Sequence, residues 1–180
     1  PVAIILNSRF ADDFKPIKVI GVGGFGCVFE VENELEEFRY AVKRIALKEN
    51  TSDAIAQKAI QTIARLDHPN IVRYFGSWIE KPPRGWQVCL FLAHRSTIHN
   101  RGHSVFFYIQ MQLYNRSLKN WICENQRPRD LVRLRSWFKQ IVEAVEYMHD
   151  NGLIHRNLKP SNILFDGADK LRVCDFAITT

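Results

Sequence analysis

Strand-forming residues dominate residues 14–47. Ile17, Val19, Val28, Val31, Tyr40, Val42 and Ile45 favour β structure, broken by glycines and by an acidic turn at residues 34–37. The period then changes. Ile55, Ala59, Ile63 and Leu66 fall on one face at helical spacing, which predicts a helix over residues 53–66. His68-Pro69 ends it, because a residue before proline avoids the α region. Strand signals return at residues 71–79 and 105–113. Between them, residues 81–104 hold Pro82-Pro83, Gly85, Asn100 and Gly102 and read as a long connector joining two strands.

The second half of the chain reads as mainly helical. A short helix is expected over residues 117–123. Asp130 is placed to cap a longer one, with Leu131, Leu134, Phe138, Ile141, Val145 and Met148 as its apolar stripe and Asn151-Gly152 as its stop. Two short strands, residues 163–165 and 171–174, flank a turn at Asp166-Gly167. The predicted architecture is α+β: a β-rich lobe with one helix, then a helical lobe that stops early.

Composition narrows the classes. With 180 residues, 46% hydrophobic and 12% aromatic, the chain suits one domain or a large piece of one, with a packed core. The net charge of +6 is scattered, with no Lys/Arg block interleaved with aromatics, so no nucleic-acid partner is expected for this segment. Cys27, Cys89, Cys123 and Cys174 lie far apart and form no C-x-x-C pair. They suggest neither a zinc site nor a disulfide framework, and suit a reducing cytosol. Residues 1–6 are too short for a signal peptide, and no run reaches the roughly 18 apolar residues of a membrane helix. A cytoplasmic location with no membrane contact in this segment is expected, and a membrane-anchored parent protein is compatible with it.

Four short stretches carry chemistry. Gly21-Val22-Gly23-Gly24-Phe25-Gly26-Cys27-Val28 fits G-x-G-x-x-G-x-V, with Ile20 before it. Alone this is weak, since a glycine-rich turn or a dinucleotide fingerprint gives the same glycines. Here a strand pattern follows at residues 27–31, which puts the glycines in a hairpin whose N–H groups can approach phosphate. Tyr40-Ala41-Val42-Lys43 resembles V-A-I-K, where the lysine meets the α- and β-phosphates. A lone strand lysine is ordinarily an exposed edge residue, and the spacing after Gly26 is what favours an ATP site. His155-Arg156-Asn157-Leu158-Lys159-Pro160-Ser161-Asn162 fits H-R-D-L-x-x-x-N except at its third position. The Asp expected there accepts the substrate hydroxyl proton, and a neutral amide is no useful proton acceptor. Asp175-Phe176-Ala177 is similar to D-F-G, which makes Asp175 and Asn162 candidate Mg²⁺ ligands. An Asx residue in a turn is the plain alternative for each, and is weak beside the whole set.

With these residues the chain resembles eukaryotic protein kinases. Arg9-Phe10-x-x-Asp13-Phe14-Lys15, Lys43-Arg44-Ile45, His68-Pro69-x-Ile71-Val72-Arg73-Tyr74-Phe75, Tyr108-Ile109-Gln110-Met111-Gln112-Leu113 and Leu158-Lys159-Pro160-Ser161-Asn162-Ile163 resemble, more closely, kinases of the translation initiation factor 2 α subunit, the endoplasmic-reticulum stress type nearest. The resemblance covers residues 9–180 and implies a two-lobe kinase-like fold. Residues 1–13 would be an N-terminal extension and residues 14–114 an antiparallel β-sheet N-lobe and hinge with an insert at about 81–104. Residues 115–180 would be a partial C-lobe. It implies ATP and Mg²⁺ as cofactors, with Met111 as gatekeeper and residues 112–114 as the hinge. Ile20, Val28, Ala41, Leu113 and Leu164 would line the nucleotide, and Lys159 would join Asn157 in the catalytic loop. His155 and Phe176 would be structural. Arg9 and Asp13 match a pair that joins two N-lobes in a back-to-back dimer, either a homodimer or a heterodimer with an active kinase.

The chain departs from the pattern at several points. Asn157 replaces the catalytic Asp, Ala177 replaces a glycine, and Ala59 stands where a helix Glu should pair with Lys43. The chain also stops at Thr180, before the substrate-docking helices, so the initiation factor is a partner only if a complete C-lobe exists. The expected function is that of an ATP-binding, catalytically impaired kinase-like regulator. An active serine/threonine kinase seen as a fragment, and a non-functional fragment, are the alternatives.

Overall fold

A computed structural model describes residues 8–23, 26–47, 61–81, 105–125, 130–167 and 169–175. The chain forms two compact units, Pro1–Asp53 with Gly76–Gln110, and Ala54–Phe75 with Met111–Thr180. Residues 70–72 group with the second unit for a local reason, since their backbone bonds to the strand that precedes Asp175.

The described elements of the first unit begin with a short helix, α1 (Arg9–Asp13), followed by β1 (Phe14–Gly23), β2 (Gly26–Asn33) and β3 (Arg39–Ala46). With β4 (Tyr74–Glu80) and β5 (Phe106–Gln112) they make a five-stranded sheet in the order β1-β2-β3-β5-β4. β1–β2 and β2–β3 are antiparallel. Successive strand residues face opposite sides. Phe29, Val31, Tyr40 and Val42 therefore turn to one face, where they meet Phe10, Phe14, Trp78 and Tyr108 in one buried cluster. The rings of Trp78 and Tyr108 stack 5.1 Å apart.

α1 lies within the residues expected to be an extension. Phe10 is wholly buried there. Ser8 caps the helix by accepting from the Ala11 N–H, and its hydroxyl donates to Glu80 at 3.0 Å. Glu80 also accepts from the Trp78 indole at 3.1 Å. This carboxylate ties the helix to β4.

The second unit contains residues 61–64, which are helical, with Ile63 buried. Residues 53–60 of that expected helix lie outside the described residues, and the helix ends at residue 64, two residues before its expected end. The strand expected at residues 71–79 starts only at Tyr74, and Ile71 instead makes an isolated parallel bridge to Val173. α2 (Leu118–Glu124) starts at a capping box between Ser117 and Asn120. α3 (Leu131–Asp150) starts as expected, with the Asp130 carboxylate accepting from the N–H groups of Val132 and Arg133. It ends in a Schellman turn. Gly152, at φ +71°, donates to the His149 carbonyl and Leu153 to that of Met148.

The expected α3 stripe needs correction. Trp137, Ala144 and Met148 are its buried residues, while Leu131 and Phe138 are each 68% exposed. The sequence offers two apolar faces, and Trp137 selects the inner one. Its ring packs edge-on against Trp121 and Phe165, 4.8 and 5.0 Å away. A 3₁₀ turn (Pro160–Asn162) leads into the hairpin β6 (Ile163–Asp166) and β7 (Lys170–Val173). Among the described residues, no helix is long and apolar enough to cross a membrane.

Candidate active site

In the first unit the strand register aligns the expected phosphate-binding residues. Gly21 pairs with Val28, Val28 pairs with Lys43, and Gly23 pairs with Gly26. Val28, Ala41 and Lys43 thus occupy the sheet face opposite the aromatic core. Ala41 and Lys43 are buried, while Ile20 and Val22 are exposed on β1. Cys27 turns the other way and packs on the aromatic cluster. Gly24 and Phe25 lie outside the described residues.

The described loop glycines differ in what holds them. Gly26 sits at φ +125°, and a Cβ there would lie 2.0 Å from the Arg44 carbonyl oxygen. The fold itself requires glycine at that position. Among the described residues, a Cβ at Gly23 would meet nothing, and one at Gly21 only the Val28 side chain at an ordinary 3.7 Å. Bare backbone at Gly23 leaves space of the kind that suits close approach of a phosphate.

In the second unit the sequence-distant residues of the catalytic loop converge. The Asn157 Nδ2 donates to Asp175 Oδ2 at 3.1 Å. The Asn162 Nδ2 donates to the Asn157 carbonyl at 2.9 Å and lies 3.4 Å from the same Asp175 oxygen. Since an ionised carboxylate only accepts, both amides present nitrogen to it. The Asn162 Oδ1 faces elsewhere, with a long 3.5 Å contact from Ser161.

His155 joins this loop to the segment that follows β7. Its Nδ1 accepts from the Asn157 N–H at 3.2 Å, and its Nε2 meets the Cys174 carbonyl at 2.9 Å. These roles suit one neutral tautomer, with the proton on Nε2. Burial holds the His155 pKa below its ordinary value, partly offset by the Cys174 bond. Arg156 and Asp175 adopt φ of +57° and +60°. Left-handed backbone at two non-glycine residues is the kind of strain that a surrounding network must hold. Lys159 is exposed, and its carbonyl accepts from the Asn162 N–H.

The oxygens of Asp175 and Asn162 are hard donors. One carboxylate with neutral oxygens and phosphate is a usual way to hold Mg²⁺, but here both amides turn nitrogen to Asp175 and the Asn162 oxygen faces Ser161, so the pair as placed does not form that donor set. Among the described residues, no group of three or more His, Cys, Asp or Glu is placed to hold a metal. Met111, Leu113 and Leu164 are half-buried. Gln112 donates its N–H to the Arg73 carbonyl, and the expected hinge residues 112–114 line an open groove together with Trp121, Arg133 and Phe165. Arg9 and Asp13 pair with each other within the chain at 3.2 Å, with the Arg9 guanidinium 4.6 Å from the Trp78 ring centre. Ala59, Phe176 and Ala177 lie outside the described residues.

Residues 14–180 match the protein kinase domain model. The chain belongs to the protein kinase domain family. Over 179 residues, 97% of its length, this kinase domain is 35% identical to the mouse interferon-induced, double-stranded RNA-activated protein kinase, covering 32% of that protein. It is 30% identical to the Arabidopsis thaliana eIF-2-alpha kinase GCN2 over 99% of the chain and 16% of that protein. A shorter stretch, 82 residues or 44% of the chain, is 45% identical to rat eukaryotic translation initiation factor 2-alpha kinase 3, covering 7% of that protein. The kinase domain thus spans a third or less of these curated relatives. Within the family, the resemblance to initiation factor 2 α-subunit kinases holds over nearly the whole chain.

Two positioning residues of this kinase domain went unnoticed in the sequence. Asn70 is buried and donates to the Leu171 carbonyl at 3.0 Å and to Gln140 at 2.9 Å. The same Gln140 oxygen accepts from the Leu171 N–H at 2.8 Å. The backbone of residues 70–72 then exchanges bonds with Val173 on both sides. This clamp fixes β7, and β7 aims Asp175. An Asn after His-Pro, and a Gln within a helix, carry no local signal of such a role.

Proposed function

We propose that this kinase domain binds ATP, transfers phosphoryl groups poorly or not at all, and regulates a kinase of its own family. One observation carries the reading: at the position of the proton acceptor stands Asn157, whose amide donates to Asp175. A neutral amide cannot take the substrate proton, and loss of a general base typically lowers a rate by roughly 10²–10⁴. The rest of the apparatus supports nucleotide binding. Gly21, Gly23 and Lys43 belong to the first unit, and Asn162 and Asp175 to the second.

In this reading Lys43 meets the α- and β-phosphates, the loop N–H groups approach them at Gly21 and Gly23, and Ile20, Ala41 and Leu164 contact the base. Asp175 would be the carboxylate toward any Mg²⁺ that accompanies the nucleotide, and such an ion would neutralise phosphate charge. Asn157 positions Asp175 without accepting a proton. The test pairs calorimetric titration with ATP against radiolabel transfer to the initiation factor 2 α subunit. Binding without transfer is expected, whereas transfer at ordinary kinase rates would overturn the reading.

A second reading, an active serine/threonine kinase acting on the initiation factor, is favoured by the kinase names of the relatives. The partner part of the proposal rests on Arg9 and Asp13. Both are about half-exposed on one edge of α1, and a two-fold axis through such a surface would repeat each contact.

A further inference from the structure

The geometry points to Asn157 as a built-in substitute for a cation at Asp175: this kinase domain assembles its catalytic loop, and takes ATP, without a divalent metal. The inference deepens the ATP-binding reading and rests on it. Its starting point is a closed circuit of protein bonds. The Asn157 amide donates to Asp175, the Asn157 N–H donates to His155, and His155 meets the carbonyl of Cys174, the residue before Asp175. Asn162 crosses the circuit, bonding both the Asn157 carbonyl and Asp175.

An Asp at position 157 on the same backbone would put a carboxylate oxygen about where the amide nitrogen now lies, 3.1 Å from Asp175 Oδ2. Two like charges at that distance repel strongly unless a cation or a proton lies between them. The amide reverses the sign of the contact. It supplies a charge-assisted hydrogen bond where the carboxylate would supply repulsion. The loop also carries one negative charge fewer to face the phosphates of ATP. Both effects lower the need for metal.

The test compares the unmodified chain with Asn157→Asp, each in excess Mg²⁺ and in EDTA. Thermal melts are recorded without nucleotide, and ATP is titrated by calorimetry. The unmodified chain is expected to melt at the same temperature in both buffers, and its ATP affinity to change by less than about threefold, under half of a tenfold step in free energy. Asn157→Asp is expected to melt lower in EDTA, to recover in Mg²⁺, and to lose at least about tenfold in ATP affinity when metal is removed. If the unmodified chain loses its stability or its ATP binding in EDTA, or if Asn157→Asp is indifferent to Mg²⁺, the inference is overturned. If neither protein binds ATP in any buffer, the nucleotide reading fails, and the melts alone still decide the role of Asn157. Should Asn157→Asp not fold, Asn157→Ala replaces it. Having lost a donor to Asp175, it is expected to gain stability from Mg²⁺ where the unmodified chain does not, and a Mg²⁺ response equal to that of the unmodified chain overturns the inference.

Discussion

Gly26 presses its backbone against the carbonyl of Arg44, so closely that a Cβ would lie 2.0 Å from that oxygen. Gly23, its partner in the hairpin register, faces open space. One glycine of the loop serves the fold, and the other is left to serve a ligand. Gly26→Ala is expected to destabilise the chain by about 1–3 kcal/mol or more, from the strained φ and the clash together. Gly23→Ala is expected to leave stability within about 0.5 kcal/mol and to weaken ATP binding. Urea denaturation beside calorimetry separates the two, and equal loss of stability in both variants would contradict this division.

Asn70 and Gln140 anchor β7, and their removal should loosen the loop from behind. Asn70→Ala leaves the buried Leu171 carbonyl without this donor, while the Gln140 oxygen keeps only the Leu171 N–H. A buried polar group stranded in this way costs about 1–3 kcal/mol. Hydrogen exchange should show faster opening of residues 171–173 than in the unmodified chain. Unchanged exchange there would remove the clamp from the account.

Acid should destabilise this fold through His155. Burial disfavours the charged ring and holds its pKa below the ordinary 6.5. Below that value the unfolded chain binds the proton while the folded chain resists it, so the unfolded state gains. The contribution is fully present above pH 6.5 and is lost as pH falls from there toward the lower folded value. Melting temperatures at pH 7.5 and 5.5 should show the drop, and His155→Gln should reduce it. A drop of the same size in that variant would assign the acid sensitivity to other groups.

Arg9 and Asp13 supply the test of partnership. Arg9→Asp should weaken association with an active kinase domain of the same family, followed by sedimentation, and adding Asp13→Arg should restore it. A single exposed ion pair is worth only about 0–1 kcal/mol, so a measurable effect requires the contact to be repeated by symmetry. No association at tens of micromolar, or association indifferent to both changes, would sink the partner proposal.

Local signals made much of this molecule legible. Asp130 and Asn151-Gly152 bracket α3 because caps act over three or four residues. The spacing from His155 to Asn162, and on to Asp175, named a loop whose members do converge. What stayed hidden depends on distant partners. Phe138 and Trp137 are neighbours in an apolar run, and only the rings of Trp121 and Phe165 decide which is buried. α1 has five residues, too few for a periodic pattern, and its anchor Glu80 is 72 residues from Ser8. The bond from Asn70 to Leu171 spans 101 residues. The Asn157 substitution was visible as a lost base, but its gain of a bond to Asp175 required the fold.

Phosphoryl transfer to the initiation factor 2 α subunit should be undetectable, and Asn157→Asp alone should not restore it. Ala59 and Ala177 remain as departures after that change. Radiolabel incorporation by the unmodified chain at ordinary kinase rates, on the order of 1–100 s⁻¹, would contradict this.

The central claim is that a nucleotide site survives beside a disabled base, and calorimetric titration with ATP in Mg²⁺ tests it most directly. Weak binding is expected, with a dissociation constant near 1 mM, which corresponds to about −4 kcal/mol. Lys43→Ala, which removes the buried lysine opposite Val28, should reduce it. No heat at several millimolar ATP, or equal binding by Lys43→Ala, would contradict the account.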